Sequence, residues 1–83
     1  MTLPTIDMAA TGRNITRMRK LAGVTIGDIK EVLGFNTPQA IYKWQRGDNL
    51  PTIDNLVILA SIFGTTIDEI IVLNEQREVE RGV

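Results

Sequence analysis

Apolar residues recur every three or four positions through most of this 83-residue chain, and this period predicts short amphipathic helices. The segment 25–44 shows the period well, with Ile29 and Leu33 on one helix and Ile41 and Trp44 on the next. Trp44 is expected to anchor the core. Alternation of apolar and polar residues never persists for four positions without a helical period fitting better. The pattern therefore predicts an all-α fold.

Glycines and threonines separate the apolar segments from one another. Four glycines follow periodic segments, as is typical just beyond a helix C-terminus: Gly23, Gly34, Gly47 and Gly64. A threonine suited to N-capping follows each of them within a few residues: Thr25, Thr37, Thr52 and Thr66. These signals predict five helices, over 12–22, 26–33, 38–46, 53–63 and 67–74. The helices would form one domain over 12–74, between an N-terminal arm (1–11) and a charged C-terminal tail (75–83).

The fourth predicted helix is unusually apolar, because residues 56–60 are all hydrophobic and Ile62 and Phe63 follow closely. A helix at the periphery of a bundle normally keeps a polar outer face. Two interpretations are open. Either the helix lies at the centre of the bundle, or Ile58 and Ile62 contact another subunit.

Composition limits the possible functions. An apolar content of 43% suffices for one small core at this length, with no room for a second domain. The chain has no cysteine and no histidine, and its single serine, Ser61, lies within an apolar helix, so we expect no enzymatic activity, cofactor or metal. Adjacent Asp68 and Glu69 are interpreted as charges that offset a helix dipole. No signal peptide or apolar run of about 18 residues is present, which predicts a cytoplasmic protein without membrane contact.

The charges are divided between the two halves of the chain, although the net charge is only −1. Residues 12–47 contain seven basic and two acidic side chains, a net charge of +5. Residues 48–83 contain two basic and seven acidic side chains, a net charge of −5, and Asp7 supplies the remaining −1. Such polarity allows one face to attract phosphate groups while the molecule stays near neutral. Charge alone is equally compatible with an ordinary solvated surface.

The third predicted helix has a polar outward stripe with amide, phenol and cationic groups: Gln39, Tyr42, Lys43 and Arg46. Thr37 is expected to be its N-cap and Pro38 its first residue, a position where the missing N–H costs nothing. A short polar helix with an exposed N-terminus suits insertion into the major groove of DNA. The second and third helices, joined by the turn at Gly34, are therefore predicted to form a helix-turn-helix.

Six short features occur in a specific order and spacing: Ile15-x-x-Met18-Arg19-x-x-x-Gly23, Leu33-Gly34, Ile41-x-x-Trp44-x-x-Gly47, Leu50-Pro51-Thr52, Asn55-Leu56 and Asp68-Glu69-Ile70. With them the chain resembles the Xre-type (phage-repressor/Cro-like) helix-turn-helix regulators from about residue 12 to residue 73. Two departures stand out. Ile26 occupies the position where many members carry a phosphate-binding glutamine, and the turn 34–38 is one residue longer than the commonest form.

The resemblance implies a five-helix, lambda-repressor-like domain whose third helix, 38–46, is the recognition helix of a transcriptional regulator. Base contacts are implied for its first turn and for one residue a turn further along: Pro38, Gln39 and Lys43. Phosphate contacts are implied for three neighbours: Thr37, Tyr42 and Arg46.

The first predicted helix supplies further cations for phosphate contacts, namely Arg13, Arg17 and Lys20. Arg19, on the same helix, is expected instead to pair with an acidic neighbour inside the fold. One recognition helix reads few base pairs, so we expect a homodimer on double-stranded DNA, with half-sites about 34 Å or a multiple apart. Control is expected from protein concentration, degradation or a regulatory partner protein. The alternative is a protein-interaction module, such as an antitoxin or adaptor, built on the same helices.

Overall fold

The computed structural model describes residues 2–74 and 77–78 of the chain, and most of them lie in helices. Five helices occur in this part of the chain: α1 (Met8–Leu21), α2 (Ile26–Leu33), α3 (Gln39–Arg46), α4 (Ile53–Phe63) and α5 (Ile67–Ile70). Two strands of two residues each, β1 (Thr2–Leu3) and β2 (Arg77–Glu78), lie near the two ends of the chain. The predicted all-α class is confirmed. None of the described helices is long and apolar enough to cross a membrane.

The bounds of α2 and α4 are those predicted, because their local stop signals operate as expected. Gly34 and Gly64 follow these helices with φ of 73° and 67°, the left-handed conformation that glycine adopts without strain. At the start of α2, the Thr25 hydroxyl accepts a hydrogen bond from the Asp28 N–H (3.0 Å). The Asp28 carboxylate accepts one from the Thr25 N–H (3.0 Å), which completes a capping box.

The other three helices differ from the prediction in one or both bounds, and α1 also ends one residue early, at Leu21. Helix α1 begins at Met8 instead of residue 12, because the Asp7 carboxylate caps it by accepting a hydrogen bond from the Ala10 N–H (2.9 Å). Helix α3 begins at Gln39, and Pro38 rather than Thr37 occupies the cap position, without a side-chain hydrogen bond. Helix α5 ends at Ile70, although the prediction continued it to residue 74.

The segment after α5 is extended and pairs with the start of the chain. The Asp7 N–H donates to the Val72 carbonyl (2.8 Å), and the Asn74 N–H donates to the Thr5 carbonyl (2.8 Å). Beyond them, β1 and β2 pair antiparallel. The prediction of a chain without strands missed this ribbon, because it joins residues about 70 positions apart. Of the predicted tail 75–83, only 77–78 lie within the described residues.

The core forms where the five helices meet. Its buried apolar side chains come from every helix: Ile15, Ile29, Ile41, Trp44, Leu56, Leu59, Ala60 and Ile70. Trp44 is 5% exposed and meets Phe35 edge-on, with ring centroids 5.8 Å apart, so its predicted core position is confirmed. Helix α4 supplies three of the eight residues and contacts α1, α2 and α5, as expected for a central helix.

Helices α1 and α3 pack so closely that their backbones nearly touch. A Cβ atom added at Gly12 would lie 2.5 Å from the Gln45 carbonyl oxygen and 2.6 Å from that of Trp44. Across the same contact, a Cβ atom at Gly47 would lie 2.8 Å from the Met8 carbonyl oxygen. Glycine at both positions therefore fixes α3 against the N-terminal half of α1.

Two polar side chains of α1 hold the C-terminal end of α5. Thr11 is fully buried, and its hydroxyl accepts a hydrogen bond from the Val72 N–H (3.0 Å). The Asn14 amide donates to the carbonyl oxygens of Glu69 (2.8 Å) and Ile70 (2.9 Å). Carbonyl groups that a short helix leaves without an intrahelical partner are thus satisfied by α1.

Candidate nucleic-acid interface

The outward face of α3 carries the four side chains that the helical period placed there. Residues 39, 42, 43 and 46 share one side of a helix with 3.6 residues per turn, and all four are exposed. They line one shallow hollow of about 230 Å³: Gln39, Tyr42, Lys43 and Arg46. The opposite side of α3 is held in the core by Ile41 and Trp44. A rigid, apolar support therefore presents an open polar stripe.

The N-terminus of α3 is open to solvent. Thr37 is exposed and lies in a bend before the helix, and Pro38 is half-buried in the cap position with φ −85° and ψ 5°. No side chain caps the first turn of α3. The N–H groups of an uncapped first turn, together with the helix dipole, favour an anion at this end.

The C-terminal end of the stripe holds an ion pair that the sequence-based prediction missed. Arg46 Nε donates to Asp48 Oδ2 at 2.9 Å, and both side chains are more than half exposed, at 58% and 52%. Gly47 between them has φ 79°, and the Asp48 N–H donates to the Lys43 carbonyl (3.0 Å). The sequence does carry a signal for this pair, because opposite charges flank Gly47, the glycine that ends α3.

The three cations of α1 lie within about 60° of one another around the helix, but their surroundings differ. Gly12 marks the side of α1 that lies against α3, and about 100° per residue places Arg13 and Lys20 roughly 100° and 80° around from it. Arg17 lies roughly 140° around. It donates to the Asn14 amide oxygen (2.6 Å) and lines a second hollow with Phe63 and Glu69. Of the three cations, Arg17 is therefore the one turned furthest from α3.

Arg19 is used inside the fold, though not with the acidic partner that was expected. Its Nε donates to the Gln45 amide oxygen (3.0 Å), and one of its terminal nitrogens donates to the Val24 carbonyl (3.0 Å). The guanidinium therefore links the end of α1 to α3 and to the start of the helix-turn-helix. Its role is to hold the support on which the polar stripe stands.

Two carboxylates in the first turns of helices have pKa values below the ordinary range. Hydrogen bonds from the Thr25 backbone and side chain lower the pKa of Asp28, and a hydrogen bond from the Thr52 hydroxyl lowers that of Asp54. Both groups are therefore ionised at neutral pH. Each places a negative charge in the first turn of a helix, where it complements the dipole.

Comparisons with known proteins agree with this geometry. A family model described as helix-turn-helix matches residues 15–70. No curated protein sequence shows significant similarity to the chain.

Solved structures similar to this chain include the restriction-modification controller protein C.AhdI from Aeromonas hydrophila, at 17% identity and a TM-score of 0.66, covering 77% of this chain and 96% of that one. The DNA-binding domain of BldD is 20% identical with a TM-score of 0.62, covering 77% of this chain and 92% of that one. The S. venezulae BldD DNA-binding domain is also 20% identical, with a TM-score of 0.63, covering 78% and 96%.

The family match extends over most of the described chain and contains α2, the turn and α3. The similarity to the solved structures establishes the same fold. The chain therefore belongs to the Xre-type helix-turn-helix family of DNA-binding transcriptional regulators.

Proposed function

We propose that this chain recognises a specific duplex sequence by inserting α3 into the major groove, with Gln39 and Lys43 at the base edges. One observation carries the proposal: the two side chains extend from the same exposed face of a helix whose other face is buried. They are four residues, or about one turn, apart. Their amide and ammonium groups can therefore reach neighbouring base pairs together.

The chemistry of these groups suggests which base edges they contact. The glutamine amide both donates and accepts, which matches the N6 and N7 atoms of adenine. The lysine ammonium donates to O6 or N7 of guanine. Pro38, half-buried at the N-terminus of α3, offers only apolar contact, as to a thymine methyl group.

Phosphate contacts would position α3 over these bases. Thr37 lies beside the uncapped first turn, while Tyr42 and Arg46 lie along the polar stripe. Arg13 and Lys20, which are turned less far from α3 than Arg17 is, can add contacts from α1. Arg17 belongs to the same proposal by its charge, but its position beside Phe63 and Glu69 gives it less geometric support.

We further propose that the DNA-bound form is a homodimer. Ile53 and Val57, one turn apart on the outer side of α4, are 71% and 55% exposed. Apolar side chains at this spacing form a stripe that a second copy could cover. The interface would then involve these residues rather than Ile58 and Ile62, which are half-buried. A regulatory partner protein and a cytoplasmic location remain predictions, as does the absence of a cofactor and of enzymatic activity.

Selection of bound sites from a random duplex pool, followed by a salt titration on the selected site, tests the proposal. We expect a defined motif, and binding that weakens with salt by about 0.9 in log K per log unit for each phosphate contacted. A palindromic motif would support the dimer. Failure to bind any duplex at low salt would contradict the proposal.

A second candidate function is a protein-interaction module built on the same helices. The exposed pair Ile53 and Val57 on α4 favours it, together with the net charge of −5 over residues 48–83. An affinity for DNA that does not change with salt concentration would favour this alternative, because binding through phosphate contacts weakens as the salt concentration rises.

A further inference from the structure

The ion pair at the end of α3 brings a carboxylate to one of the groups proposed to bind phosphate. Arg46 lines the polar stripe with Gln39 and Lys43, and its Nε is 2.9 Å from Asp48 Oδ2. A carboxylate and a phosphate offer a guanidinium the same kind of charged oxygen acceptor. The Asp48 carboxylate therefore accepts a hydrogen bond from Arg46 that a phosphate oxygen could accept in its place.

The backbone holds Asp48 in this place. The turn at Gly47 ends α3 in the left-handed conformation, and the Asp48 N–H donates to the Lys43 carbonyl. Gly47 itself is packed against the N-terminal residues of α1. The backbone of Asp48 is thus fixed relative to α3, so its carboxylate remains beside Arg46 when the helix approaches DNA.

We infer that Asp48 is an intramolecular competitor of phosphate at Arg46 and thereby limits the affinity of this chain for DNA. The inference rests on the proposed function. To bind a phosphate, Arg46 must leave the carboxylate, or the phosphate must approach with the carboxylate still beside it. Either way, part of the attraction between Arg46 and DNA is lost, and the loss is the same on every sequence because the phosphate backbone is uniform.

The experiment that tests this inference compares the wild-type chain with the variants Asp48→Asn and Asp68→Asn. Both variants remove one negative charge, and both positions are exposed, but Asp68 lies on α5, away from the polar stripe. Binding is measured by fluorescence anisotropy on the selected operator and on a duplex of unrelated sequence, between about 50 and 200 mM KCl.

We expect Asp48→Asn to bind both duplexes more tightly, by about fivefold at the low-salt end, the upper range for exposed ion pairs. Its salt slope should be steeper by about 0.9, because one more cation takes part in counterion release. The gain should therefore fall below about twofold at 200 mM salt. Asp68→Asn should bind as the wild-type chain does.

The double variant Arg46→Gln/Asp48→Asn tests whether the effect passes through Arg46. Its affinity should stay close to that of Arg46→Gln alone. A full gain in that background would overturn the inference, because Asp48 would then act only by repelling phosphate.

Three further outcomes contradict the inference. An unchanged affinity of Asp48→Asn would show that the ion pair has no effect on binding. A reduced affinity would make Asp48 a support for Arg46 instead of a competitor. If the wild-type chain binds the operator while Asp48→Asn behaves in either of these ways, the proposed function stands and only this inference fails. A wild-type chain that binds neither duplex would overturn both.

Discussion

Trp44 and Tyr42 are aromatic residues two positions apart on α3, and they differ sharply in their burial. Trp44 is 5% exposed and packs in the core, whereas Tyr42 is 44% exposed on the polar stripe. We expect Trp44→Ala to lower the free energy of unfolding by about 3–5 kcal/mol, because it removes a large buried side chain. Tyr42→Ala is the matched control and should change it by less than about 0.5 kcal/mol. Chemical denaturation monitored by circular dichroism measures both, and a Trp44→Ala protein as stable as wild type would exclude the core role.

Gln39 is exposed and has its amide on the open face of α3, so its removal should affect recognition rather than folding. We expect Gln39→Ala to lose preference at one base-pair position, at a cost of about 1–3 kcal/mol of discrimination. Its affinity for unrelated duplexes should change little, because phosphate contacts provide non-specific binding. Site selection with the variant measures this, with Ser61→Ala on the exposed side of α4 as the control. An unchanged motif would show that Gln39 does not contact a base.

The polar stripe was predictable from the sequence because its residue spacing depends only on the helical period. The partners of individual charges were not predictable in the same way. Arg46 reaches Asp48 because a left-handed turn at Gly47 brings the two together, and Arg19 reaches Gln45 across a contact between helices. Such pairs depend on side-chain rotamers and on packing, which the order of residues does not reveal.

Within the helices, substitution by alanine is expected to change the free energy of unfolding in opposite directions at Gly12 and at Gly27. Gly12→Ala would place a Cβ atom 2.5 Å from a backbone oxygen of α3, so α1 and α3 would have to separate. We expect this to lower the free energy of unfolding by about 1–3 kcal/mol, the usual effect of overpacking. Gly27, in the first turn of α2, has only the Thr25 hydroxyl within 4 Å of an added Cβ, at 3.7 Å.

Gly27→Ala should therefore raise the free energy of unfolding by about 0.5–1 kcal/mol, because alanine loses less backbone entropy in a helix. Thermal and urea unfolding of both variants measure the difference. Equal effects of the two substitutions would contradict the close contact between α1 and α3.

The sequence pattern predicted too late a start for α1, and the close contact between α1 and α3 helps to explain why. Gly12 has no side chain because the backbone at the end of α3 lies against it, and Ala9 and Ala10 before it are also small. Small residues do not produce a visible apolar period, so the pattern begins only at Ile15. Helix α5 was extended too far for the opposite reason. Ile71 and Val72 continue the apolar run, but Thr11 and Asp7 bind the backbone of Val72 in an extended segment.

At the level of the whole molecule, the proposed homodimer needs an exposed apolar surface that a second copy could cover. Val57 on α4 and Leu21 at the end of α1 are both exposed apolar side chains, at 55% and 75%, but they lie on different helices. Only Val57 has an exposed apolar neighbour one turn away on its own helix, Ile53, among the described residues of these two helices. The proposed homodimer should therefore depend on Val57 and not on Leu21.

Accordingly, Val57→Lys should leave binding to a duplex with one half-site unchanged, because the residue lies on α4, outside the polar stripe. Binding to the complete two-half-site operator should lose its cooperativity, since a charged side chain buried between two copies is strongly unfavourable. Leu21→Lys introduces the same charge and should retain cooperative binding. Analytical ultracentrifugation and operator titrations distinguish the two variants. Loss of assembly in Leu21→Lys alone would move the interface to the hollow between α1 and Phe63, where Leu21 lies.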